Sequence, residues 1–144
     1  RTTRRNIAWR SCPHDPLLML LPESHHEIKW VSHWMLRIVD VAGALAARGY
    51  PQHVTTELHL AVEDDVLPAN AGRYVLKVAD GRGRVESGGR RELALDVRGL
   101  AALYSGFLAP SELVRCGLAT GSAAALEAAA TLFSGPHPWM RDGF

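Results

Sequence analysis

The 144-residue sequence is poor in cysteine, with only Cys12 and Cys116, and a pair so distant along the chain does not form the disulfide framework of a small secreted domain. A reducing cytoplasm is the expected setting. Long apolar runs are also missing. The stretch Leu17 to Leu21 stops at Pro22 and Glu23, far short of the roughly 20 residues a membrane-spanning helix requires. Nor is there an excess of one charge: 16 Lys and Arg face 15 Asp and Glu, a net charge of +1. Such a balance supplies no field to gather nucleic acid or an anionic membrane, and neither is expected as a partner. No signal-peptide pattern is present. Arg1 stands where an initiator Met would be expected, so the sequence is read as a piece of a longer polypeptide.

Several reactive motifs are missing too. A zinc helix of the His-Glu-x-x-His type beginning at His26 would need His at position 30, where Trp30 stands. His25, His26 and His33 are therefore read as solvated connector residues, with no metal. Neither Ser105 nor Ser122 lies in Gly-x-Ser-x-Gly, which excludes a nucleophile elbow. Gly81, Gly83, Gly88 and Gly89 lie in and after a hairpin rather than between a strand and a helix N-terminus, and read as turn residues rather than a phosphate cradle. His59 falls on the polar side of a strand and is expected at the surface. Cys12 and Cys116 have no placed partner and read as structural. Arg1, Arg4, Arg5 and Arg10 lack interleaved aromatics and read as a solvated segment.

What remains is the patterning of one folded domain, with 47% hydrophobic and 22% charged residues. Asn6 to Arg10 and Pro16 to Leu21 read as short strands closing a preceding domain. Pro22 to Lys29 is an aperiodic connector, which places a boundary near Ser32. Trp34 to Val39 reads as a largely buried strand. Asp40 caps a short helix with Val41, Ala44, Leu45 and Arg48 on one side, ended by Gly49. Val54 to Val62 alternates, as do the stretches holding Tyr74, Leu76 and Val78 and then Leu93, Leu95 and Val97. Asp80 and Gly81 turn the second of these into a strand near Arg84 to Ser87, giving an antiparallel meander.

After Val97 the period lengthens to about 3.6. One helix carries Leu100, Leu103, Tyr104 and Phe107. A second starts at Pro110, with Leu113 and Val114 inward and Gly117 beyond its end. A third runs from Ser122 to Phe133 and presents Leu126, Ala129, Ala130 and Phe133. Strands followed by helices predict an α+β fold, an antiparallel sheet of about five strands covered on one face by late helices. Pro136, Pro138, Trp139 and Phe144 give the tail stiffness and aromatic anchors.

The series Trp34-Met35-Leu36-Arg37-Ile38-Val39-Asp40-Val41, Ala44-Leu45 and Arg48-Gly49-Tyr50 resembles the opening of the C-terminal domain of Eis-type (enhanced intracellular survival) GNAT N-acetyltransferases. Asp65 to Arg73, Leu93 to Arg98, Leu103 to Gly106, Cys116-Gly117-Leu118 and Pro138-Trp139 to Phe144 continue the likeness in order. Trp9 and Asp15-Pro16-Leu17 resemble the stretch leading into that domain. The resemblance implies residues 1–32 as the end of a GNAT-like domain with its connector, and residues 33–144 as a C-terminal domain of the sterol carrier protein fold. It implies N-terminal GNAT domains of the same chain as partner, an amine as substrate, and acetyl-CoA as cofactor of the full-length protein. The Arg/Gln-x-x-Gly-x-Gly/Ala loop of acetyl-CoA sites is missing here, so the fragment alone is expected to bind none and to be inactive.

The family's terminal carboxylate, carried here by Phe144, becomes the implied catalytic base. Asp40 at a strand end, Asp142 and Trp139 are candidates for the amine pocket, with helix capping the competing role for Asp40. The family places an acidic substrate contact next to the terminal Phe; here Gly143 stands there and Asp142 one step earlier, so an aminoglycoside acceptor is not implied. Two further readings belong beside this one. One is a lipid or sterol-carrier-like binding domain holding an apolar ligand between sheet and helices; the other is a module mediating homo-oligomerisation.

Overall fold

The computed structural model describes residues 7–12, 14–21 and 26–140. A single turn of helix, α1 (Leu17–Leu20), occupies the stretch read as a strand. Pro16 presets its first φ near −63° and Asp15 Oδ1 accepts the Leu17 N–H at 2.8 Å, closing a helical turn where no strand offers a ladder. Of the other predicted remnant, residues 7–10 form no strand and Asn6 lies outside the described residues.

Residues 26–39 form neither helix nor strand. The buried strand expected at Trp34 to Val39 is therefore corrected: only Ile38 is buried, because among the described residues no second strand lies alongside to pair with it. Helix α2 (Val41–Ala47) follows as expected, with Asp40 Oδ1 accepting the Gly43 N–H at 2.9 Å and Val41 and Leu45 inward. It ends at Arg48 in an extended conformation rather than at a left-handed glycine; Gly49 instead bridges to Arg82.

Five strands build the sheet in the order β3-β2-β1-β4-β5: β1 (Thr56–Glu63), β2 (Gly72–Ala79), β3 (Arg82–Ser87), β4 (Leu93–Asp96) and β5 (Ala119–Gly121). The β2–β3 hairpin turns through Asp80 and Gly81, whose φ values of 51° and 74° are those a two-residue primed turn demands. β1 pairs antiparallel with β2, placing Leu58 opposite Leu76 and Leu60 opposite Tyr74. β4 lies parallel to β1, with Leu60 opposite Leu93, so the sheet is mixed rather than a pure meander. β5, three residues long, adds to β4 antiparallel.

Helices α3 (Val97–Ser105), α4 (Pro110–Arg115) and α5 (Ala123–Leu132) come late in the chain. Each start has a local cause: Asp96 accepts from Gly99 N–H, Pro110 occupies the first turn of α4, and Ser122 Oγ accepts from Ala125 N–H. Leu58, Leu60, Leu76, Leu93, Leu100, Leu103, Leu113, Ala129, Leu132 and Phe133 merge with Val41 and Leu45 into one apolar core. Val114, expected inward, is exposed, as are Ala130 and Phe107. The α+β architecture, five strands with late helices on the leucine-rich side, is the one the alternation predicts.

Candidate functional site

At the end of β1 a polar knot joins the chain entering the domain to the β1–β2 connection. Asp64 has a fully buried side chain whose carboxylate accepts from the backbone N–H of Val66 at 3.0 Å and Leu67 at 2.9 Å, from Asn70 Nδ2 at 3.0 Å and from Arg37 at 2.7 Å. These bonds, that from the Leu67 N–H foremost, outweigh burial and hold its carboxyl well below the usual carboxylate range. Asn70 also donates to the Ile38 carbonyl and accepts the Val41 N–H, and Tyr74 donates its hydroxyl to the Asn70 carbonyl at 2.8 Å. All of these atoms are spent on one another, so the knot orients the Ile38–Val41 backbone rather than meeting a ligand directly.

Asp40 sits beside that knot. Its Oδ1 caps α2, the capping role foreseen, and the residue is exposed. Its charge contributes, after burial, to raising the Tyr74 phenol. Trp139 lies far along the sequence in the tail, 48% exposed rather than anchored. Asp142 and Phe144 lie outside the described residues.

The tail residue His137 stacks edge-on against Phe107, with ring centroids 5.7 Å apart, and against His14 at 4.9 Å. Beneath it a hollow of about 280 Å³ is walled by Leu103, Leu108, Pro110, Ala129 and Phe133. Helices α3, α4 and α5, the connection between α3 and α4, and the tail line it. Of the four side chains the third helix was expected to present, which could line a slot for an apolar ligand, Ala129, Ala130 and Phe133 reach this hollow while Leu126 packs against the core.

His59 is a correction to the sequence reading. It is 8% exposed, because Gly89, with φ of 93°, lets the chain after β3 lie over the imidazole. Nδ1 accepts the Arg90 N–H at 3.0 Å, which puts the proton on Nε2, 2.7 Å from Glu57 Oε1. That hydrogen bond is the main reason the Glu57 carboxyl is lowered. An imidazole engaged on both nitrogens serves as a clasp, not a base. The Gly88-Gly89 pair was the signal for it. Among the described residues, no group of three or more His, Cys, Asp or Glu is placed to hold a metal ion. Cys116, read as structural, is exposed, and Cys12 is half-buried.

A family profile described as sterol carrier protein domain matches residues 41–141. The chain belongs to that family. This sterol carrier protein domain is similar to part of a GCN5-related N-acetyltransferase from Anabaena variabilis, 46% identical with a TM-score of 0.89, over 94% of this chain and 35% of that one. It is similar to Eis1 from Mycobacterium abscessus at 34% identity and a TM-score of 0.64, over 75% of this chain and 27% of that one. An uncharacterized N-acetyltransferase of Streptomyces griseus is 37% identical over 92% of this chain and 32% of its own length. The chain thus spans about a third of these relatives, and it is a sterol-carrier-like domain of the Eis-type N-acetyltransferase kind. Among the described residues no helix is long and apolar enough to cross a membrane.

Proposed function

We propose that this domain is the C-terminal portion of a GNAT-family N-acetyltransferase, walling the amine-acceptor pocket while N-terminal GNAT domains of the same polypeptide hold acetyl-CoA. The observation that carries this reading is the likeness, over 94% of the chain at 46% identity, to one third of a GCN5-related N-acetyltransferase. In the proposed division, residues 1–32 close the preceding GNAT-like domain and 33–144 form the acceptor-side domain.

An acceptor amine is mostly an ammonium near neutral pH and must lose a proton before its lone pair can attack the thioester carbonyl. The Phe144 α-carboxylate is assigned that proton. A free α-carboxyl has a pKa of about 3.3 to 3.7, a weak base in water, and docking in an apolar pocket raises its basicity. Asp40, Asp142 and Trp139 are assigned to the pocket: two carboxylates to attract the ammonium and an indole face to hold it. Asp40 suits this because capping uses one carboxylate oxygen while the residue stays exposed.

The test is acetyl transfer by the longer polypeptide to polyamines, lysine peptides and aminoglycosides, with and without deletion of Phe144. Deletion is expected to slow turnover at saturating amine by about 100-fold or more, on the order of what a general base supplies; undiminished turnover removes the carboxylate from the mechanism. A carrier role is tested in the same preparation by native mass spectrometry for copurifying lipid. The 280 Å³ hollow under His137 falls just below the ~300–1,000 Å³ typical of ligand pockets, and the likeness to N-acetyltransferases favours the enzyme reading.

A further inference from the structure

Between Ile28 and Val39, seven of the eight large apolar side chains are exposed, Trp30 at 72% and Met35 at 97% among them. Such density in one short stretch is not the scatter of single apolar residues a surface normally carries. The backbone is equally unpartnered: among the described residues, no backbone–backbone hydrogen bond involves any residue from 26 to 39. Even so, the end of the stretch is held. Asn70 Nδ2 donates to the Ile38 carbonyl, Arg37 pairs with Asp64, and Ile38 is 4% exposed. Exposure then alternates. Leu36 and Trp34, on the side of Ile38, are 41% and 42% exposed, whereas Val39 and Met35 are 70% and 97% exposed. Apart from Arg37, which falls on the side of Met35 and Val39 and pairs with Asp64, the segment is apolar on both sides, and with its free backbone groups it has the composition of a strand largely buried in a sheet.

We infer that residues 34–39 are a β-strand held out by this domain to complete the open edge of a sheet in the acetyltransferase portion of the same polypeptide. The inference rests on the function proposed above, and the missing two thirds of the relatives' length supplies the occupant. The stretch immediately precedes the matched domain at residue 41. Strand addition satisfies the idle N–H and C=O groups and buries Met35 and Val39 together. It also passes directly into Asp40, placing that carboxylate where the two portions meet.

The experiment is amide hydrogen exchange, resolved to residues 34–39, in the 144-residue chain and in the longer polypeptide, each with Met35 and as Met35→Glu. Exchange in the longer polypeptide is expected to be slower by about 100-fold or more, and Met35→Glu is expected to reverse most of that protection. Because Met35 is exposed, the same substitution is expected to leave the unfolding midpoint of the 144-residue chain unchanged. Equally fast exchange in both polypeptides overturns the inference even if acetyl transfer is observed, leaving the function standing. Protection that appears in the 144-residue chain as its concentration rises overturns it in favour of a second copy. A longer polypeptide whose strand is protected but which acetylates no amine sinks the function and keeps the interface; one with no acetyltransferase portion removes both.

Discussion

Arg48 shows how one side chain can close a domain. Its guanidinium donates to the carbonyls of Tyr104, Leu132 and Gly49 at 3.1, 3.2 and 2.9 Å, and lies 5.0–5.8 Å from the ring centroids of Phe133, Tyr50 and Tyr104. It thereby serves the ends of α3 and α5, whose last carbonyls have no partner inside the helix. Arg48→Ala is expected to lower stability by about 2–3 kcal/mol in urea unfolding, and Arg48→Lys by less, since an ammonium keeps the charge but not the fork. Asp64 works through acidity instead. Its folded-state carboxyl is depressed, so its contribution is complete above the unfolded value of about 3.9 and is lost as pH falls below it toward the lower native value. A plot of thermal midpoint against pH should therefore drop on the acid side, and Asp64→Asn should flatten that limb while lowering the plateau at neutral pH.

At the scale of elements, the outer face of the sheet depends on the crossing after β3. Gly89 has φ of 93°, and a Cβ there would lie 2.5 Å from both His59 Nδ1 and Val75 Cγ2. Gly89→Ala is expected to cost about 2–3 kcal/mol through strain and overpacking. His59→Ala in the same chain should return part of that loss, and a double-mutant cycle measures the coupling.

Elements with strong local causes were legible in the sequence. The Asp80–Gly81 turn, the alternating leucines of β1 and β2, and the Pro110 start of α4 each declare themselves within a few residues. Those decided at a distance were not. β4 lies parallel to β1 across an intervening hairpin, and β5 is three residues long with Gly121 among them, too short for a period to register. Trp34 to Val39 shows the opposite case: the strand pattern is written in the chain, but pairing needs a neighbour. For the candidate site, Asp40 was legible as a cap from its position before an apolar helix. The Asp64–Asn70 knot was not, because its members lie on separate segments and look like ordinary loop residues.

For the molecule as a whole, every buried hydrophobic side chain among the described residues lies between Ile38 and Phe133. Helix α1 buries none of its residues. The proposed boundary after residue 32 therefore predicts that a chain of residues 33–144 retains its urea unfolding free energy to within about 1 kcal/mol. A larger loss would mean that the contact of His14 with His137 contributes to the fold and would place the boundary earlier.

The parallel seam between β1 and β4 also has a bearing on the order in which this chain acquires its shape. The β2–β3 hairpin pairs residues that are near neighbours in sequence, whereas Leu60 must find Leu93 only after the intervening hairpin has been set aside. Closing that loop costs chain entropy before any contact rewards it, so the seam, rather than the hairpin, is expected to limit the folding rate. A newly synthesised chain would hold its hairpin in advance and wait for β4 to arrive.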